Sequence, residues 1–213
     1  MRATIVYDNT SSRQELQADW GFACYLETAD SRILFDTGAR GDILLSNLRQ
    51  LGIEPADVDE IFISHDHWDH TGGLAAFLEQ NRDVKIYLPQ ALSDPVQARE
   101  VICNAPATQI GTGVYTTGVL EEIEQSLVVK TSRGLLLFAG CSHPSMSKIL
   151  TAASQYGKLY GIIGGLHGFD NYDLLADLLL ICPTHCTQHQ NEIKAIYPQQ
   201  YQQGGAGVVL EIE

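Results

Sequence analysis

The most informative run of residues is Ile61-Phe62-Ile63-Ser64-His65-Asp66-His67-Trp68-Asp69-His70-Thr71-Gly72-Gly73. Its apolar, β-branched beginning predicts a buried strand that runs directly into a loop of histidines and aspartates. Residues i and i+2 of an extended loop point the same way, so His65 and His67 can hold one metal ion. Asp69 and His70 reach a second position just beyond it. Neutral imidazoles and a carboxylate are the ligands expected for Zn²⁺, with Mn²⁺ and Fe²⁺ as alternative occupants.

Other strand-like runs also end in residues that can bind metal. The first ends in an aspartate, Ile33-Leu34-Phe35-Asp36-Thr37-Gly38. Three later runs end in cysteine or histidine: Leu135-Leu136-Leu137-Phe138-Ala139-Gly140-Cys141-Ser142-His143-Pro144, Ile162-Ile163-Gly164-Gly165-Leu166-His167 and Ile181-Cys182-Pro183-Thr184-His185-Cys186-Thr187. The repeated pattern indicates a metal site to which several strand ends contribute.

The H-x-H-x-D-H run that begins at His65 resembles the signature of the metallo-β-lactamase superfamily. The later motifs G-C-S-H, G-G-L-H and P-T-H-C-T, in this order, resemble one branch of that superfamily. The branch contains ribofuranosylaminobenzene 5′-phosphate synthases and many hydrolases of unknown substrate. The similarity extends from near Ile5 to the C-terminus. It implies an α/β (α+β) fold, the four-layer αββα sandwich, with the metals at one edge between the two sheets.

The resemblance also implies a set of metal ligands. A third histidine would complete the first site, and His143 is the candidate because no histidine lies between His70 and Cys141. His185, at a strand end, would be the last ligand of the second site. The predicted ligands are His65, His67, Asp69, His70, His143 and His185.

Three further residues have more than one interpretation. Cys141 follows the strand that usually ends in Gly-Asp in this superfamily, so its thiolate could ligate zinc or its side chain could simply be small and buried. Asp36 could accept a hydrogen bond from a ligand histidine or merely begin a turn before Gly38. His167 could ligate metal, support a ligand or act on the substrate. His189, by contrast, is expected to be exposed.

These residues predict a hydrolytic enzyme. Two metal ions lower the pKa of a bridging water and polarise the bond under attack, and Asp69 is the candidate general base. The expected reaction is hydrolysis of an ester-like bond in a phosphoester, a lactone or an amide of a small molecule. One alternative is a pterin-pathway synthase-like enzyme that acts on a phosphorylated ribose. The second alternative is a metal-binding sensor without catalysis.

Composition narrows the choice of partner. The 213 residues include 26 Asp and Glu against 13 Lys and Arg, which gives a formal charge of −13. Nucleic acid binding draws on clustered basic residues, and no window of the sequence has the required density. The acidic balance favours a small or weakly charged substrate over a polyanion. The cations on predicted loops are expected to be ordinary surface residues: Arg40, Arg99, Arg133 and Lys148.

The sequence also predicts the location and organisation of the chain. Its length and its 45% hydrophobic content suggest a single domain over residues 1–213. It shows neither a secretion signal at the N-terminus nor an apolar run long enough to span a bilayer. An odd number of cysteines without a regular framework is typical of reduced thiols in a cytoplasm. Oligomeric state stays open.

The order of strand-like and helix-like runs predicts a mixed sheet, or two sheets, flanked by helices. Helical spacing of apolar residues predicts a helix over Gly41–Leu51. A second helix is predicted over Gln90–Val101.

Overall fold

Two β-sheets lie face to face in the computed structural model, which describes residues 1–90 and 96–213. Helices cover the outer face of each sheet. This arrangement confirms the predicted four-layer αββα sandwich.

The first sheet has strand order β13-β1-β2-β3-β4-β5-β6. Its strands are β1 (Arg2–Tyr7), β2 (Ala23–Glu27), β3 (Arg32–Phe35), β4 (Glu60–Phe62), β5 (Lys85–Leu88), β6 (Glu100–Cys103) and β13 (Val209–Glu211). The pairs from β3 to β6 are parallel, whereas β13, β1, β2 and β3 pair antiparallel. The sheet is therefore mixed, as predicted.

The second sheet has strand order β12-β11-β10-β9-β8-β7. Its strands are β7 (Thr108–Gly111), β8 (Val114–Thr116), β9 (Leu127–Thr131), β10 (Gly134–Ala139), β11 (Leu159–Gly165) and β12 (Leu180–Thr184). β10, β11 and β12 are parallel, so their carboxyl ends meet at one edge. Those ends carry the three later ligand motifs.

The helices are short and amphipathic. They are α1 (Gly41–Gln50), α2 (Trp68–Thr71), α3 (Leu74–Gln80), α4 (Met146–Ser154) and α5 (Gln190–Ile196), with 3₁₀ turns at Pro55–Asp57 and Tyr172–Leu175. In α1, Ile43, Leu44 and Leu48 recur at helical spacing and are buried against the first sheet. None of the helices in the described ranges is long and apolar enough to cross a membrane.

The main core lies between the sheets, where aromatic side chains meet. Phe35 stacks on Phe62 with ring centroids 5.7 Å apart, and Phe138 of the second sheet packs against Phe35 at 6.2 Å. All three are fully buried, and each belongs to a strand whose end contributes to the ligand edge. The core therefore holds the ends of β3, β4 and β10 in a fixed relation.

The backbone turns abruptly at this edge. Asp36, Ser142, His167 and His185 have positive φ angles of 57°, 60°, 46° and 47°. Non-glycine residues rarely adopt this left-handed conformation, and functional sites are where such strain concentrates. Each of the four follows a different strand and directs the next part of the chain across the edge.

The helix predicted over Gln90–Val101 is wrong where it can be compared. Residues 91–95 lie outside the described part of the chain, and the segment from Glu100 forms strand β6 instead of a helical turn. β6 pairs in parallel with β5, so sheet pairing outweighs the local helical pattern. The β7–β8 hairpin, which was not predicted, extends the second sheet.

Candidate metal centre

Three histidines form the first group of converging nitrogen atoms. His65, His67 and His143 each offer one ring nitrogen, and these atoms lie within 4.8 Å of one another. His65 Nε2 and His67 Nδ1 are 3.0 Å apart. His143 Nε2 is buried and has no hydrogen-bond partner among the described residues. Such a nitrogen is costly unless something binds it, and a metal ion would satisfy all three atoms.

Asp69, His70 and His185 form the second group, again with ligand atoms within 4.8 Å of one another. Asp69 Oδ2 is 3.2 Å from His185 Nε2. Within residues 1–90 and 96–213, that nitrogen is buried without a hydrogen bond of acceptable geometry. The His65 and His70 rings lie 4.1 Å apart between centroids, so the two groups adjoin. This donor set suits a second divalent ion.

A hydrogen-bond network behind the histidines determines which ring nitrogen faces the ligand edge. Asp36 Oδ2 is 2.7 Å from His70 Nδ1 and also accepts a hydrogen bond from the Ser64 hydroxyl. Because that hydroxyl donates its hydrogen bond to Asp36, its oxygen can accept a hydrogen bond from the N–H of His65 Nδ1, 2.9 Å away. Both Nδ1 atoms then carry protons, and both Nε2 lone pairs point toward the site.

Asn9 supports His185 in the same way. Asn9 Oδ1 lies 3.0 Å from His185 Nδ1, and Asn9 Nδ2 donates to the His185 carbonyl. The His185 amide donates to Asp8 Oδ1 at 2.8 Å. These contacts join the end of β1 to the end of β12 and leave His185 Nε2 free.

Glu124 is a functional candidate that sequence reasoning missed. It is buried beneath the Gly140–His143 loop and accepts a backbone hydrogen bond from each residue of that loop, at 2.9 to 3.2 Å. A carboxylate with this many backbone donors fills the anion-binding concavity of the loop. Glu124 therefore positions Cys141 and His143. Its surroundings in sequence, Glu121-Glu122-Ile123-Glu124, indicate only an acidic surface turn.

Electrostatics favour the metal-binding forms of these side chains. Burial lowers the pKa of His65 and His70 well below the usual range, and neighbouring histidines add to the effect. Burial acts to raise the pKa of Asp69, but its interactions with His185 and His70 outweigh burial and hold that pKa below its usual range. Burial acts to raise the pKa of Asp36, while two hydrogen bonds from Ser64 act in the opposite direction and favour the carboxylate. His65 and His70 are thus neutral imidazoles, and Asp69 is ionised.

Cys141 lies between the two groups. Its Sγ is 3.2 Å from His70 Nε2, and it can be grouped either with His65 and His70 or with His185 and Cys186. The side chain is buried, and its hydrogen bond with Cys186, together with burial, raises its pKa. A metal ion would reverse that effect, since coordination deprotonates a thiol. This position is compatible with Cys141 as a metal ligand and also with Cys141 as a small buried side chain.

The remaining histidines lie farther out. The exposed His167 ring is 5.2 Å from the His143 ring, at the mouth of the site, and belongs to none of the donor groups found in the described ranges. His189, which was expected to be exposed, is instead half-buried before α5, and its Nδ1 lies 3.7 Å from Glu192 Oε1. Trp20 lies beside the second donor group and donates its indole N–H to Asp69 Oδ2 at 2.7 Å.

Comparisons with known proteins agree with this geometry. Residues 21–154 match the family model of the metallo-beta-lactamase superfamily. The chain is 25% identical to the 7,8-dihydropterin-6-methyl-4-(β-D-ribofuranosyl)-aminobenzene-5′-phosphate synthase of Methanocaldococcus jannaschii, over 84% of each chain.

Two solved structures extend the comparison. The structure of Tm1679, a metal-dependent hydrolase of the β-lactamase superfamily, superposes with a TM-score of 0.77 at 25% identity, over 100% of this chain and 99% of the other. A diphosphatase of the PhnP family shares the fold, with a TM-score of 0.64 at 12% identity over 100% and 98% of the chains. Sequence motifs, sandwich and family match agree: the chain belongs to the metallo-β-lactamase superfamily.

Proposed function

We propose that the protein is a metal-dependent hydrolase that uses two adjacent metal ions, preferentially Zn²⁺, against an ester-like bond of a small molecule. The observation that carries the proposal is the pair of adjoining donor groups, each of which contains a buried histidine nitrogen without a hydrogen-bond partner in the described part of the chain. His65, His67 and His143 would hold one ion. Asp69, His70 and His185 would hold the other, with Cys141 between them.

The ions, when bound, lower the pKa of a water molecule and polarise the scissile bond. The protein's own contribution is to keep the donors in place and to handle the proton. Asp36 and Asn9 hold three of the ligand histidines through Nδ1, directly or through Ser64, so that Nε2 stays available. Asp69 is ionised and sits beside the ligand nitrogens, where it can accept the proton of the attacking water.

The charges around the chain support a small, weakly charged substrate rather than nucleic acid or a membrane surface. The four cations singled out above are already engaged: Arg40 pairs with Asp42, Arg99 with Asp83 and Lys148 with Glu121, while Arg133 lies over the Tyr160 ring. A phosphorylated substrate that used Arg40, Arg99 or Lys148 would therefore have to displace an existing pair. We propose a cytoplasmic, single-domain enzyme on the same grounds of composition and reduced cysteines.

A second candidate function is a synthase-like reaction on a phosphorylated ribose. The similarity to the M. jannaschii synthase over 84% of each chain favours it. The engaged cations weigh against it, because a phosphate ester binds best where free donors converge. A sensor without catalysis is the third candidate, and the presence of Asp69 beside the histidines weighs against that one.

Metal analysis followed by a substrate panel tests the proposal. Protein purified without added metal should contain close to two divalent ions per chain and should hydrolyse at least one phosphodiester, phosphomonoester, lactone or amide. Chelation should abolish turnover, and Asp69→Asn should reduce it by orders of magnitude. His189→Asn, which changes a histidine outside both donor groups, should leave turnover unchanged. A folded protein that binds no metal, or full activity in Asp69→Asn, would contradict the mechanism.

A further inference from the structure

The loop Asp19-Trp20-Gly21 lies directly against the histidine loop. The Phe22 amide donates to the Asp69 carbonyl at 3.2 Å. Gly21 has a φ of +144°, and a Cβ added there would lie 2.7 Å from the same carbonyl, so only glycine allows this approach. The Gly21 amide donates to Asn9 Oδ1 at 3.1 Å. The backbone around Trp20 is therefore tied directly to the histidine loop and, through Asn9, to His185.

The Trp20 side chain reaches the second donor group itself. Its indole Nε1–H donates to Asp69 Oδ2 at 2.7 Å, and its ring lies edge-on to His185 with centroids 5.1 Å apart. The distance is typical of a hydrogen bond to a charged acceptor, which is stronger than a neutral one. The rest of the ring is open to solvent, with 49% of the residue exposed.

The acceptor atom is the one that matters for metal binding. Asp69 Oδ2 is the oxygen 3.2 Å from His185 Nε2. A free aspartate side chain rotates between several conformers, and a donor on this oxygen selects the conformer that faces His185. Trp20 is the side chain that supplies such a donor from outside the two donor groups.

We infer that Trp20 is a positioning residue that holds the Asp69 carboxylate in its metal-binding orientation and so sets the affinity for the ion at Asp69, His70 and His185. The inference rests on the proposed function, because it takes Asp69 as a ligand. Groups that orient metal ligands commonly change metal affinity by about 10- to 100-fold when they are removed. The effect belongs to the indole N–H, whereas the ring itself supplies only contact area.

Direct metal titration separates the N–H from the ring. Trp20→Phe keeps an aromatic ring and removes the donor, and Trp20→Ala removes both. In both variants, competition with a chromophoric chelator should show about 10-fold weaker binding of one Zn²⁺ equivalent, in line with the usual effect of an orienting group. The other equivalent should stay within about twofold of its original affinity. The matched control is Trp68→Phe, because Trp68 precedes Asp69 in the sequence but is 65% exposed. This variant should bind both equivalents of Zn²⁺ as the unaltered protein does.

Fluorescence supplies a test that leaves Trp20 intact. The chain has two tryptophans, so in Trp68→Phe all tryptophan emission comes from Trp20. Titration of this variant with Zn²⁺ should change the emission with one equivalent of metal and not with the other. That equivalent should be the one weakened by Trp20→Phe.

The inference is overturned if Trp20→Phe binds both equivalents of Zn²⁺ with unaltered affinity. It is also overturned if the tryptophan emission of Trp68→Phe changes with neither equivalent. A Trp20→Phe variant with unaltered affinity beside a weakened Trp20→Ala variant would assign the effect to the ring and also overturn it. Asp69→Ala identifies failure of the proposed function instead. If that variant binds both equivalents normally, Asp69 is not a ligand and the assigned donor group is wrong.

Discussion

Replacement of Asp36 by asparagine should disturb both metal positions at once. In the protein, Asp36 Oδ1 accepts the Ser64 backbone N–H at 2.7 Å, while Oδ2 accepts the Ser64 hydroxyl and faces His70 Nδ1. The backbone donor keeps the asparagine oxygen at the Oδ1 position and places its NH₂ group where Oδ2 was. That group donates where the carboxylate accepted.

Two histidines then change their protonation pattern. The new NH₂ donates to His70 Nδ1, which moves the His70 proton to the metal-facing Nε2. It also donates to the Ser64 hydroxyl, which can then give its own proton to His65 Nδ1, 2.9 Å away. The proton of His65 then also moves from Nδ1 to the metal-facing Nε2. One substitution thus protonates one ligand nitrogen in each donor group.

Each ion should consequently bind about 10- to 100-fold more weakly, which is about 1.4 to 2.8 kcal/mol per ion. Chelator competition measures both affinities, and ¹⁵N spectra of the imidazoles report which nitrogen carries the proton. Asp66→Asn, the same change at an exposed position in the histidine loop, should stay within about twofold of the unaltered protein for both ions.

Unfolding should not explain the loss. Burial raises the pKa of Asp36, which means that the fold disfavours the ionised carboxyl although Ser64 donates to it. Asparagine has no charge to bury, so metal-free Asp36→Asn should be at least as stable as the parent at neutral pH. Unaltered affinity for both ions, with Nδ1 still protonated in both histidines, would refute the reasoning.

Three further predictions concern the same site. Glu124→Ala leaves the backbone N–H groups of the 140–143 loop without their buried acceptor. The free energy of unfolding should fall by about 3 kcal/mol, which should lower the melting temperature by roughly 10 °C. Glu122 is exposed, so Glu122→Ala should not change the melting temperature. Protein loaded with Co²⁺ should show a near-ultraviolet sulfur-to-metal absorption band. Cys141→Ser should remove this band, whereas Cys186→Ser should retain it. A band that Cys141→Ser does not affect would identify Cys141 as a buried residue that does not bind the metal. Because the pKa values of His65, His70 and His143 are lowered, proton competition should begin to displace metal only below pH 6.5; half-release above pH 6.5 in chelator titrations would contradict this.

Local patterns account for the success at the strand ends. The run from Ile61 to Gly73 combines a buried strand with a polar loop, and both are determined by residues adjacent in sequence. The helix predicted over Gly41–Leu51 is confirmed as well, since α1 spans Gly41–Gln50. The helix predicted over Gln90–Val101 is wrong at Glu100 and Val101, because these residues pair with β5, which lies outside the local window and whose pairing outweighs helical spacing.

The supporting residues could not be found in this way. Asn9 contacts His185 across 176 positions of the chain, and Trp20 contacts Asp69 across 49. Glu124 reads as part of an acidic surface turn, yet it is 1% exposed because its segment passes beneath the loop after β10. Each of these contacts forms where the ends of two strands come together. Neither segment alone contains a sequence pattern that indicates the contact.

The amino-acid sequence alone identifies the side chains that can bind metal, predicts that they follow strands and shows the resemblance to the metallo-β-lactamase superfamily. The fold is needed to establish that Nε2 of His65, His70 and His185 faces the candidate metal centre. Ligand identity is a property of one residue. Lone-pair direction, in contrast, depends on hydrogen bonds from residues that the fold brings together from distant parts of the chain.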